Sequence, residues 1–129
     1  MISLDTNIVV RLFVDTDRKQ TEAAQRCLED NDHVAIADIA LIEATYVLTQ
    51  YYGKNRQAAS ECIEALLANA KVNCNRPLFH RALKLYQEHP ALSIEDCCLV
   101  SYAKLNGDTP LMTFDKKLAK QTHYSELLA

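Results

Sequence analysis

The sequence predicts an α/β fold in three layers: a mainly parallel sheet of four to five strands, with helices on both faces. Short apolar segments of strand length alternate with longer segments whose apolar residues recur at helical spacing, from one end of the 129 residues to the other. Strands separated by helices pair in parallel through right-handed crossovers. Two glycines and three prolines punctuate the whole chain, which suits helices joined by short connections. The length supports one domain, residues 1–129, with one core.

In order, ISL at 2–4 is a strand candidate ending at Asp5, and Asn7 to Val14 reads as a helix. Residues 19–30 carry a stripe through Ala24, Cys27 and Leu28. VAIA at 34–37 is a second strand; Asp38 is placed to cap the next helix and Gly53 to end it. Asn55 opens another helix, striped by Ala59, Cys62, Ile63, Leu66, Leu67 and Ala70. KVNC at 71–74 is a third strand. Phe79, Ala82, Leu83 and Tyr86 mark a helix that stops near Pro90. Residues 94–105 form the next, stopped at Gly107, and PLMTF at 110–114 is a fourth strand ending at Asp115. A short basic helix with Lys116, Lys117 and Lys120 follows.

No apolar run has the length of a membrane span, and MISLDTN lacks the basic start and apolar stretch of a secretion signal, so a cytoplasmic protein is expected. Five cysteines, an odd number without a C-x-x-C pair, read as reduced and mostly buried thiols. The four histidines have no ligand spacing and read as surface polar residues. The net charge of −3 speaks against a nucleic-acid partner, except that setting aside four acids as metal ligands reverses its sign.

Four acids raise a question that no local rule answers. Asp5 and Asp115 each follow a strand directly, so both lie at the carboxyl edge of the sheet, where ligands bind in such folds. A helix leading into a parallel strand starts at that same edge, which places Asp96 there. Glu43 lies about five residues into the helix after the second strand, roughly 7 Å along it. Its neighbours one turn away are Ile39 and Val47, and a carboxylate among apolar side chains must be neutralised, hydrogen-bonded, paired or bound to a metal. Each acid has an ordinary explanation: Asp5 as a helix cap, Asp96 in a helix dipole, Asp115 in a turn, Glu43 reaching solvent. Together these do not explain four acids from four elements at one rim. Carboxylates at about 4 Å repel by roughly 4 kcal/mol per pair at an effective dielectric near 20. A hard cation removes that cost, and oxygen ligation without His or Cys selects Mg²⁺ or Mn²⁺ over zinc.

LDTN at 4–7, IEATYVL at 42–48, EDCCLVSYA at 95–103 and TFDK at 113–116 together resemble the PIN-domain proteins of the VapC-type toxin class. Spacing and order agree along essentially the whole chain, although no one motif is specific. The resemblance implies a PIN-like fold and a metal-dependent endoribonuclease. Its acidic quartet would be Asp5, Glu43, Asp96 and Asp115, binding one or two Mg²⁺ or Mn²⁺ ions. Asn7 and Thr113 would be polar supports that orient the acids or a water. The resemblance further implies a homodimer and a cognate antitoxin protein that covers the rim. Asp38 departs from the pattern, standing where such proteins often carry a small hydroxyl residue. Lys116, Lys117, Lys120 and Arg11 lie near enough to the rim in sequence to be candidates for contact with RNA phosphates.

Three rivals are weighed against this reading. A phosphatase on a similar sheet commonly uses Asp-x-Asp after the first strand, and position 7 is Asn. A non-catalytic scaffold of the same fold, binding RNA or a protein, fits a degraded quartet better than this complete one. A receiver-type domain needs an Asp after the third strand, where Asn75 stands.

Overall fold

Strand and helix alternate through residues 1–129, all of which a computed structural model describes. Five short strands and seven helices form two units, Met1–Asn75 and Arg76–Ala129. The fold class is the α/β class read from the sequence, with every strand pairing parallel.

In the first unit, β1 (Ile2–Ser3), β2 (Val34–Ala35) and β3 (Val72–Asn73) make a parallel sheet in the order β1-β2-β3. Ile2 stands opposite Val34, and Val34 opposite Val72. Hydrogen bonds from Leu4 N to Ala35 O and from Ile36 N to Asn73 O carry the ladder past the strand ends. Around the sheet run α1 (Thr6–Arg11), α2 (Arg18–Asp30), α3 (Asp38–Gln50) and α4 (Arg56–Leu67). α1 packs on α2 and α3, and α3 on α4. Val9, Val10, Val34, Leu41, Leu48 and Ile63 are fully buried in this core. Burying such a side chain stabilises by about 1.5–3 kcal/mol.

Two local readings are corrected here. Asp38 is not the cap of α3. Ala37 holds the extended cap conformation and makes no side-chain bond, while Asp38 is already helical. The helix begins one residue earlier than a cap at 38 requires, and the Asp38 carboxylate accepts from Asn75 Nδ2 at 3.4 Å. Nor does Glu43 lie in an apolar bed. The buried face of α3 is Ala40, Leu41, Ala44, Thr45 and Leu48, and Glu43 is on the opposite, exposed face. Its apolar neighbour Ile39 is itself 68% exposed. Beyond α3, Gly53 turns the chain at a φ of 70°, and Asn55 caps α4 by accepting from Ala58 N at 2.7 Å.

The second unit holds α5 (Arg76–Glu88), α6 (Ile94–Asn106), β4 (Leu111–Thr113), α7 (Lys116–Gln121) and β5 (Ser125–Leu127). α5 packs on α6; Phe79, Leu83 and Tyr86 of the one and Cys97, Cys98 and Val100 of the other are buried. β4 and β5 form their own parallel pair, with Leu111 opposite Ser125. The five strands are thus hydrogen-bonded as three and two. All five cysteines are free; Cys97 and Cys98 are buried, and Cys27, Cys62 and Cys74 are half-buried. No helix is long and apolar enough to cross a membrane.

Candidate functional site

At the carboxyl end of β1 the chain passes directly into α1, and Asp5 sits at the junction. Its Oδ1 caps the helix by accepting from Ile8 N at 3.1 Å. The other carboxylate oxygen has no partner within the protein. The next residue, Thr6, donates its hydroxyl to Glu43 Oε2 at 2.9 Å. That bond ties the first turn of α1 to the exposed face of α3 and fixes a carboxylate that would otherwise rotate freely. Asn7 is exposed and opens on a groove of about 620 Å³ between α1 and α2, which Asp5 and Arg11 also line. Arg11 donates from Nε to Gln20 at 2.9 Å, and from Nη1 to Thr16 at 2.8 Å and Tyr52 at 3.0 Å. The hydrogen bond from Arg11 holds the Tyr52 phenol below its ordinary pKa.

The second unit repeats the strand-then-cap arrangement. Asp115 follows β4, and its Oδ1 accepts from Lys117 N at 2.9 Å and Leu118 N at 3.3 Å. Thr113 Oγ1 accepts from Asp115 N at 2.9 Å. Asp96 lies in the first turn of α6, where Ser93 is the cap, accepting from Asp96 N at 3.1 Å. α6 packs against β4 and feeds it through the short turn at Gly107. The two therefore run oppositely, and Asp96 lies toward the end of β4 that bears Asp115. Lys116, Lys117 and Lys120 are exposed on α7.

Two of the four acids thus belong to the first unit and two to the second. None of the four is paired with a lysine or arginine; the recorded ion pairs join Arg18 to Asp15 and Glu22 on α2. Nowhere do three His, Cys, Asp or Glu side chains stand close enough to enclose a metal. Thr6 and Ser93 are the residues that sequence reasoning passed over. Thr6 had a signal: a hydroxyl directly after a strand-end acid, in the motif LDTN, is one helical position from the rim.

Residues 2–123 match the PIN domain family, a run that takes in all four acids and reaches into both units. No curated protein matches the chain.

Proposed function

We propose that this chain, which belongs to the PIN domain family, is a metal-dependent endoribonuclease cleaving RNA phosphodiester bonds. PIN domains are typically nucleases. The observation that carries the reading is the state of the four carboxylates. Asp5 and Asp115 each spend one oxygen on backbone amides and Glu43 one on Thr6, and each keeps the other unpartnered. Asp96 makes no bond through its carboxylate, and no cation neutralises any of the four. Unpaired oxygen donors without His or Cys suit a hard divalent ion.

Asp5, Glu43, Asp96 and Asp115 would hold one or two Mg²⁺ or Mn²⁺ ions. When bound, such an ion activates water and offsets the charge that builds on the scissile phosphate. The chain's own part is orientation. Backbone amides fix Asp5 and Asp115, Thr113 fixes the turn before Asp115, and Thr6 fixes Glu43. The free carboxylate oxygens can accept a proton from an attacking water. Water would be the nucleophile, since in-line attack on phosphorus needs no covalent protein intermediate. Lys116, Lys117, Lys120 and Arg11 would meet RNA phosphates.

The likeness of the four motifs to VapC-type toxins supports the finer reading of a cytoplasmic toxin with a cognate antitoxin. A homodimer belongs to the same reading. That no three such side chains converge favours a second reading: a non-catalytic scaffold of the same fold that binds RNA or a protein.

One experiment separates the two. Purified protein should cleave RNA with Mg²⁺ or Mn²⁺ and lose activity in chelator. Asp5→Asn and Asp96→Asn should each lower the rate by orders of magnitude while melting normally without metal. Full activity in either variant sinks the mechanism, and absence of cleavage in the wild type favours the scaffold. Growth arrest of a bacterial host on expression, relieved by Asp5→Asn, supports the toxin role; equal growth with both counts against it.

A further inference from the structure

We propose that the groove between α1 and α2 is an RNA subsite beside the reaction centre, where Arg11 binds a backbone phosphate next to the scissile one. The proposal rests on the nuclease reading above. Arg11 is six residues beyond Asp5, about 9 Å along α1 at 1.5 Å per residue, and both line the same groove. The guanidinium is fixed from three sides, by Gln20 on α2, Thr16 on the connecting loop and Tyr52 in the turn after α3. All three partners are neutral acceptors, so the positive charge is held in place but not offset. Only Nε and Nη1 are used, which leaves the Nη2 donors for a ligand. Arg18 is the contrast: exposed, and paired with both Asp15 and Glu22.

A cross-link between helices needs hydrogen bonds but no charge, and half-burying an unpaired charge is costly. A guanidinium whose two Nη2 N–H groups are free can donate charge-assisted hydrogen bonds from that nitrogen to a phosphate oxygen. The rest of the groove fits a nucleotide. Ile8, Ala23 and Ala24 give small apolar walls, Asn7 offers an amide, and the volume of about 620 Å³ is that of a small-molecule site. An RNA strand whose scissile bond lies at Asp5 would run naturally into it.

The test measures cleavage of a fluorescein-labelled single-stranded RNA oligomer with Mn²⁺ across a salt series. Arg11→Gln should raise KM about tenfold, the loss of roughly one charge-assisted contact, and change kcat by less than about twofold. The slope of log KM against log salt should fall by about 0.7, as for one phosphate contact on a single strand. Arg11→Lys should restore the salt slope but only part of KM. Tyr52→Phe, which frees the guanidinium, should raise KM with the charge retained. If Arg11→Gln lowers the melting temperature but leaves KM and the salt slope unchanged, Arg11 is a cross-link and the proposal is overturned. If the wild type proves not to cleave, anisotropy of the same RNA without metal decides the subsite by itself. Weaker binding to Arg11→Gln upholds it and equal binding overturns it. An oligoglutamate peptide bound by wild type and lost in Arg11→Gln, with RNA binding unchanged, overturns it in favour of an acidic protein partner.

Discussion

Asp5 and Asp115 combine two tasks that different side chains could have divided. Each caps the helix that leaves its strand, and each offers a second oxygen outward. The cap needs only a short acceptor, which Asn supplies about as well as Asp, whereas Ala supplies none. The proposed chemistry needs the charge. Substitution therefore separates the two. Asp115→Ala should lose about 1 kcal/mol in urea unfolding carried out in chelator, the usual cost of removing a cap. Asp115→Asn should be as stable as wild type and equally inactive. An Asn variant as destabilised as Ala would mean that the carboxylate charge, not the cap, holds the turn. The two acids were legible because a strand end followed by Asp is a visible signal. The bond from Thr6 to Glu43 was not, because it joins residues 37 positions apart and depends on how α1 lies against α3.

Among the elements, periodicity served best where a helix has one apolar face. α5 buries Phe79, Ala82, Leu83 and Tyr86, all four of the residues that marked it in the sequence. α3 defeated that reasoning, since apolar side chains occupy both of its faces; Tyr46 is 55% exposed. An apolar sequence around Glu43 therefore did not mean an apolar environment. β5 was not foreseen as an element. Its three residues have no apolar run, and its pairing with β4 is set by the loop that brings Ser125 opposite Leu111. Turn signals were more reliable. Gly107 closes α6 in the left-handed region at a φ of 73°, and its N–H bonds the last carbonyls of the helix. A Cβ there would meet nothing within 4 Å, so only the backbone conformation opposes a side chain. Gly107→Ala should then cost about 1 kcal/mol in urea unfolding. A loss well above that would point to a packing role that the open space around Gly107 does not suggest.

For the whole molecule, the distribution of acids matters more than the net charge of −3. The proposed quartet draws two acids from each unit, and Glu43 is exposed rather than desolvated. An exposed carboxylate such as Glu43 is screened by water and salt, so repulsion from other acids costs the metal-free protein little there. Glu43→Gln should therefore change stability in chelator by no more than about 0.5 kcal/mol, the range of ordinary surface substitutions. Metal should act differently. An ion that binds only the folded protein stabilises by RT ln(1 + [L]/Kd), about 2.7 kcal/mol at a hundredfold excess over Kd. If the ligands come from both units, Glu43→Gln in the first and Asp96→Asn in the second should each shrink that gain. Melting curves for wild type and both variants, with Mn²⁺ and with chelator, make the comparison. A gain reduced by Asp96→Asn but untouched by Glu43→Gln would place the ion on the acids of the second unit alone. No gain in the wild type at millimolar Mn²⁺ would leave the four acids as caps and surface charges, and the scaffold as the better reading.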